Sequence, residues 1–244
     1  MAGLVRFRRL SPWGRLVAVS AVVVFGGGAA LGIAALASSE QRVVSYAVRG
    51  SVNGVMLDVG GADVVIDGGG TRASLGVRQD EQFTFGHAAV ERRSVGDGVF
   101  SIRSRCPTTV LHTCSASYHL TVPDNIPIDL RTSSGTVHFD GYHGSARVST
   151  GSGDIDIGSF CGFSLEARAQ SGDITTSASC APQQLSLRST SGSVHALVPR
   201  GRSQVDAESA SGGRTVNGIT AASDAPFAIQ ALSSSGSVTV EGGP

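Results

Sequence analysis

Apolar and polar residues alternate with a period of two around six Ser-Gly dipeptides in the second half of the chain. The glycines of these dipeptides are Gly135, Gly153, Gly172, Gly192, Gly212 and Gly236, separated by 18, 19, 20, 20 and 24 residues. At seven and five residues before each glycine, and two and four after it, 22 of the 24 positions are apolar. A spacing of two places such residues on one face of a strand. Each repeat therefore predicts a strand, a Ser-Gly turn, a second strand and a return loop.

A nearly fixed period of this size is typical of a solenoid, in which each repeat buries its apolar side chains against its neighbours. We expect an all-β, β-helix-like solenoid with six coils over residues 126–244. Residues 38–125 are also strand-rich, and we expect degenerate coils and a β-rich cap there, with a loop from His87 to Asp97. The coil template, with alanine in place of glycine, fits Val55, Leu57, Ala62, Val64 and Ile66.

The fifth repeat departs from the pattern. Arg214 stands where an inward apolar residue is expected, directly after Gly212-Gly213. An unpaired buried arginine is too costly, so we expect a bulge or a loop that turns Arg214 outward. Distorted geometry without a function is the ordinary interpretation, and a binding feature at Arg214 is the alternative.

The N-terminal segment has the features of a signal anchor. Residues 16–37 carry no charge, and as a helix they would extend about 33 Å, enough for a bilayer core of about 30 Å. Four arginines within the basic tail, residues 1–15, predict that the N-terminus is cytoplasmic and the C-terminal domain extracellular. Cleavage after Ala37, which would give a secreted protein, is the alternative.

Four cysteines in an exported protein favour two disulfides. Cys161 and Cys180 each follow a repeat glycine by eight residues, so they occupy equivalent positions on adjacent coils. The spacing of stacked strands fits the Cα separation that a disulfide needs. Cys106 and Cys114 flank a short loop and pair by elimination. A metal-thiolate site is the weaker interpretation, because the chain has no CxxC motif.

The distribution of charged residues argues against nucleic acid as a partner and suggests a Ca²⁺ site. All 19 basic residues are arginine, against 19 acidic residues, and the acids are in excess beyond residue 40. Such a body does not predict nucleic-acid binding. Asp154 and Asp173 follow repeat glycines directly, and Asp156 shares their outward face, so these three carboxylates are a candidate Ca²⁺ site. A solvated polar face is the ordinary alternative, and acid-base catalysis on a polysaccharide is a third interpretation.

The units at residues 128–137 (Ile-Asp-Leu-Arg-Thr-Ser-Ser-Gly-Thr-Val) and at 152–155 and 171–174 (Ser-Gly-Asp-Ile) resemble the bacterial putative-adhesin family of β-solenoid domains. The resemblance implies a membrane-anchored domain without catalytic residues or a cofactor, and the chain contains no common catalytic or nucleotide-binding motif.

We therefore expect a non-enzymatic cell-surface or envelope binding or scaffolding module, anchored through residues 16–37. Its expected partner is an envelope polymer or a membrane or surface protein. An ectodomain of an envelope-stress sensing or regulatory complex is one alternative. A small polysaccharide-active β-helix enzyme is the other.

Overall fold

The computed structural model describes residues 39–50, 52–70, 74–107 and 113–243, which fold into two ten-stranded β-sheets. Within these ranges no helix is long and apolar enough to cross a membrane. The anchor expected over residues 16–37 lies outside the described residues, so it stays a prediction.

Twenty strands follow one another along the chain. They are β1 (Ser39–Arg49), β2 (Gly54–Val59), β3 (Asp63–Gly70), β4 (Ser74–Thr84), β5 (Val90–Gly96), β6 (Val99–Arg105), β7 (Cys114–Pro123), β8 (Ile128–Ser134), β9 (Val137–Asp140) and β10 (Ser145–Ser152). The remaining ten are β11 (Ile155–Phe160), β12 (Ser164–Ser171), β13 (Ile174–Ala178), β14 (Gln184–Ser191), β15 (Val194–Pro199), β16 (Arg202–Ser209), β17 (Arg214–Asn217), β18 (Thr220–Ala221), β19 (Ala228–Ser233) and β20 (Val238–Gly243).

The two sheets are built from paired strands, one from each sheet, which form the coils of a solenoid. Sheet 1 has the order β1-β4-β7-β3-β9-β11-β13-β15-β20-β17, and sheet 2 has the order β18-β16-β19-β14-β12-β10-β8-β2-β6-β5. Strands of successive coils pair in parallel, whereas β1, β4 and β5 add antiparallel strands at one end. The expected all-β, solenoid-like architecture is confirmed.

One apolar core runs between the sheets through all the coils. The inward column positions of the interior coils are buried, including Leu57, Leu130, Leu187 and Val240, whereas those of the end coil of β16 and β17 are less completely covered. The Ala62 coil also follows the template, because Leu57 of β2 is in register with Leu130 of β8. The period-two pattern therefore places the same residue types in register along the whole stack.

The order of the coils in space differs from their order in sequence at both ends. The coil of β19 and β20 stacks between the coil of β14 and β15 and the coil of β16 and β17. At the other end, the coil of β2 and β3 lies between that of β6 and β7 and that of β8 and β9. At the C-terminal end the chain passes one coil position and returns to fill it. At the other end it places the coil of β6 and β7 outside the first coil and then crosses back to β8 and β9. A repeat spacing alone reveals neither step.

One expected loop is a strand. β5, Val90–Gly96, lies inside the segment His87 to Asp97 and pairs antiparallel with β6. It is the outermost strand of sheet 2, and most of its residues are exposed. An edge strand exposed on both faces needs no apolar alternation, so the periodicity could not indicate it.

The column of repeat glycines is explained by close approach of neighbouring backbones. A Cβ at Gly153 would collide with the carbonyl oxygen of Gly135, and a Cβ at Gly135 would collide with that of Ala62. The same holds in turn for Gly172, Gly192, Gly236 and Gly212. Ala62 is the first member of this column in the sequence. The glycine contacts also record the coil order, because Gly236 meets Gly192 and Gly212 meets Gly236.

Candidate binding faces

Aspartates that follow the turn position link successive coils. Oδ1 of Asp154 accepts the backbone N–H of Asp173 with an N···O distance of 2.9 Å, and Oδ1 of Asp173 accepts that of Ser193 at 2.7 Å. Asp63 accepts the N–H of Thr136 in the same way at 2.8 Å. These carboxylates satisfy backbone donors at the turns, where no strand partner is available.

The candidate calcium ligands are not gathered into one ligand set. Asp156 points to a different partner from Asp154 and Asp173, with its Oδ2 3.2 Å from Nδ1 of His138. Among the residues that the structure describes, no group of three or more His, Cys, Asp or Glu side chains could hold a metal ion. The structure therefore gives Asp154 and Asp173 roles in turns, and it places Asp156 in a surface contact with His138.

Face 1, the outward side of sheet 1, carries carboxylates next to histidines. Nε2 of His119 lies 2.6 Å from Oδ2 of Asp67, and Nε2 of His195 lies 3.5 Å from Oε2 of Glu241. With the pair at His138, three histidines bridge neighbouring strands of this sheet. His138 and His195 stand on β9 and β15, three coils apart, so they do not belong to one site.

Face 2, the outward side of sheet 2, carries arginines in one row. The members of this arginine row are Arg92 (β5), Arg103 (β6), Arg131 (β8), Arg168 (β12) and Arg188 (β14). Asp58 and Ser149 occupy the row on β2 and β10. All five arginines are exposed. Side chains carried on strands are positioned more precisely than those on loops, so the arginine row is an ordered array of guanidinium groups that is interrupted on β2 and β10.

A polar depression of about 270 Å³ lies on Face 2 beside the arginine row. It is lined by Arg147, Ser164, Leu165, Glu166, Arg168, Gln184, Ser186, Arg188 and Gln230. These residues come from β10, β12, β14 and β19, and Gln230 reaches the depression because β19 pairs directly with β14. The coil of β19 and β20, which stacks directly on that of β14 and β15, therefore completes the lining.

The charges in the polar depression are only partly compensated. Nε of Arg147 donates to Oε2 of Glu166 at 2.8 Å, and Arg168 forms a second ion pair with the same carboxylate. The hydrogen bond from Arg147 holds the pKa of the Glu166 carboxyl below its usual value, so this group is ionised at neutral pH. Arg188 donates to the amide oxygen of Gln230 instead. Three guanidinium groups thus surround one carboxylate.

Two disulfides join the four cysteines. Cys161 and Cys180 are bonded across adjacent coils, with a Cα separation of 5.0 Å. Cys106 and Cys114 are bonded across the connection between β6 and β7, with a Cα separation of 5.6 Å. No free cysteine occurs within the described ranges.

Arg214 is exposed, but not because of a bulge. It lies in β17 in unbroken register with Val238 of β20. Its coil is the last of the stack, so no further repeat covers this position. The expectation of a bulge or loop is therefore wrong, and the end position of the coil supplies the physical reason for the exposed side chain.

A buried polar network closes the N-terminal end of the stack, and no sequence motif indicated it. The side chain of Glu81 is 1% exposed and accepts hydrogen bonds from Arg42 at 2.6 Å and from Gln79 at 2.6 Å. Arg93 lies over the ring of Tyr46, 4.1 Å from its centroid, and burial raises the pKa of this tyrosine to about 12. Glu81 is paired and hydrogen-bonded within the cap, so we assign it a structural role.

Hydroxyl groups three residues before the glycine form a second link that the sequence analysis missed. Oγ of Ser189 donates to the carbonyl of Gly172 at 2.9 Å, and Oγ of Ser233 donates to that of Gly192 at 2.7 Å. The pair Ser209 and Gly236 repeats this contact in the last coil. The recurrence of Ser or Thr at this offset was the available signal.

The coil geometry and the repeat agree with a known family. The model of the Toastrack DUF4097 family matches residues 108–241, more than half of the chain. The chain belongs to this family, and the resemblance to the putative-adhesin family is confirmed. No curated protein matches the chain.

Solved structures with some likeness to this chain share little sequence with it. A putative cell adhesion protein from Clostridium sporogenes is 12% identical over 84% of this chain and 100% of its own, with a TM-score of 0.49. A putative adhesin from Bacteroides fragilis is 15% identical over 82% and 97%, with a TM-score of 0.44. A putative lipid binding protein from Parabacteroides distasonis is 10% identical over 83% and 95%, with a TM-score of 0.34. Likenesses of this size carry no functional argument.

Proposed function

We propose that the chain is a non-enzymatic binding module of the cell envelope, held at the membrane by residues 16–37. The observation that carries the proposal is the pair of broad outward faces, on which polar side chains are repeated in register along ten strands. Such an array presents many equivalent weak contacts on a rigid support, and linked contacts raise the overall affinity for a repetitive partner.

The two disulfides support a location outside the cytoplasm, because disulfides persist in oxidising compartments. The glycine column supports rigidity, because neighbouring backbones are too close for a side chain between them. Membership of the Toastrack DUF4097 family is compatible with this role.

The test is retention of the full-length, detergent-solubilised chain on cell envelopes isolated from the producing organism. Saturable retention that survives treatment with EDTA is the expected result, because no three-ligand metal group is present in the described residues. A detergent-solubilised chain carrying only residues 1–38 is the control for binding through the anchor segment. Retention no greater than that of this control would contradict the proposal.

A further inference from the structure

The polar depression on Face 2 brings three arginines, Arg147, Arg168 and Arg188, together on a single concave surface. Arg168 and Arg188 are register partners on adjacent strands, so their backbones are about 4.8 Å apart. The fork of a guanidinium group binds a carboxylate through two parallel hydrogen bonds.

We propose that the polar depression and the arginine row form a binding site for an acidic polysaccharide, with one carboxylate of the polymer held between Arg168 and Arg188. The inference rests on the proposed function as an envelope-binding module and names the class of ligand. The depression binds one acidic sugar, and the arginine row continues the site along the polymer.

The single carboxylate within the polar depression does not neutralise all three arginines, so the depression can bind an added anion. Glu166 is shared by Arg147 and Arg168, while Arg188 has no carboxylate partner among the ion pairs of the described ranges. The local charge is therefore about two positive units by count. An incoming carboxylate can replace the amide oxygen of Gln230 at Arg188, because two carboxylate oxygens can accept parallel hydrogen bonds from the guanidinium fork and the amide offers only one oxygen.

The uncharged lining favours a sugar over a denser polyanion. Gln184, Ser186 and Gln230 offer amide and hydroxyl groups between the arginines, and these groups suit the hydroxyls of a pyranose ring. Asp58 stands within the arginine row on β2. A denser polyanion such as polyphosphate, which has no neutral groups between its charges, would place charge against Asp58 and Glu166, whereas a glycan can place its neutral hydroxyls there.

The arginine row sets the orientation in which a bound polymer would cross the sheet. From Arg92 on β5 to Arg188 on β14 the row crosses seven adjacent strands, which corresponds to about 29 Å at about 4.8 Å per strand. A polymer bound along it would run perpendicular to the strands. Because several separate arginines contribute, the affinity should grow with the length of the polymer up to that span and should fall with added salt.

The test measures binding of fluorescent polygalacturonate oligomers to the full-length chain in detergent, with dextran as the neutral glycan. R168A/R188A should weaken polygalacturonate binding about tenfold or more. E166Q should strengthen it severalfold, because it removes the competing carboxylate. The matched control is R49A/R78A, which removes two exposed arginines from the opposite sheet and should leave the affinity within about twofold. Thermal unfolding of each variant checks that the fold is retained.

Wild-type affinity in R168A/R188A, or equal binding of dextran, would overturn the proposal. Arginine-dependent binding that is tighter for polyphosphate or for anionic phospholipid vesicles would also overturn it, in favour of a phosphate ligand. If polygalacturonate does not bind but the wild-type chain is retained on envelopes, the ligand inference fails and the proposed function stands. If retention on envelopes is absent, the proposed function fails by itself.

Discussion

The middle coils and the C-terminal end coil are variants of one repeat, and they differ in how completely they are covered. Leu187, in the middle coil of β14 and β15, is fully buried between neighbours on both sides. Val216 and Arg214, at related inward positions of the end coil, are half-buried and exposed. The comparison teaches that the strictness of the apolar pattern follows from the position of a coil in the stack, and the end coil is therefore where a charged residue is tolerated.

The largest expected difference between the two regions is in the stability lost when an inward side chain is shortened. Leu187→Ala should lower the free energy of unfolding by about 2–5 kcal/mol, because it leaves a cavity in a closely packed interior. Val216→Ala, which removes a half-buried side chain at the end of the stack, should lower it by less than about 1 kcal/mol. Chemical denaturation measures both values. Equal losses would show that the end coil is packed as tightly as the middle.

Removing the disulfide between two middle coils should cause the next largest loss of stability. Replacing Cys161 and Cys180 together by serine opens a loop with a sequence separation of 19 and should cost about 3 kcal/mol. The corresponding pair Cys106 and Cys114 closes a separation of 8, for which the same relation gives about 2.5 kcal/mol. Denaturation of the two double variants tests this order, and an unchanged stability for the first would contradict it.

Gly153 of the glycine column and Gly213, which lies next to the column in the end coil, offer a comparison of a closely packed glycine with an open one. A Cβ at Gly153 would collide with backbone atoms of Gly135, whereas a Cβ at Gly213 meets no atom within 4 Å. Gly153→Ala should therefore cost about 1–3 kcal/mol, and Gly213→Ala should change the stability by less than about 0.5 kcal/mol. Similar melting temperatures for the two variants would argue against the close approach of the coils.

The smallest expected effect is a gain in stability. Thr176 occupies an inward position of a middle coil, is 1% exposed, and its hydroxyl has no hydrogen-bond partner within the described residues. Thr176→Val should raise the free energy of unfolding by about 1 kcal/mol, because it removes an unsatisfied buried polar group. Thr175→Val, on the exposed side of the same strand, is the control. A loss of stability in Thr176→Val would mean that the hydroxyl has a partner.

The sequence was sufficient to predict the coils, because burial on one side of each strand imposes a strict period of two. It also predicted the partners of all four cysteines: Cys161 and Cys180 lie at equivalent positions on adjacent coils, and Cys106 and Cys114 then pair by elimination. It could not give the coil order. The columns of the last two repeats are equivalent, so Ile229 could stack on Leu185 or on Val205 of its neighbours without changing the pattern.

The sites were harder to predict than the fold, for reasons that concern particular residues. Asp154 and Asp173 align as expected, but each carboxylate turns to a backbone N–H of the next coil. Arg168 and Arg188 belong to different repeats at the same offset, and that offset also carries Leu232 and Glu208. Only the pairing of β14 with β19 places Gln230 beside Arg188, so the polar depression depends on the order of the coils.

Hydrogen exchange of the native chain tests whether the coil of β19 and β20 lies between its two neighbours in the stack. Both the fold and the polar depression depend on this position. β19 pairs with strands on both sides, whereas β17 pairs only with β20 and forms the edge of sheet 1. Amides of residues 228–243 should therefore exchange more slowly than those of residues 202–217, although they lie nearer to the C-terminus. Slower exchange in residues 202–217 would contradict the coil order, and with it the assembly of the depression on Face 2.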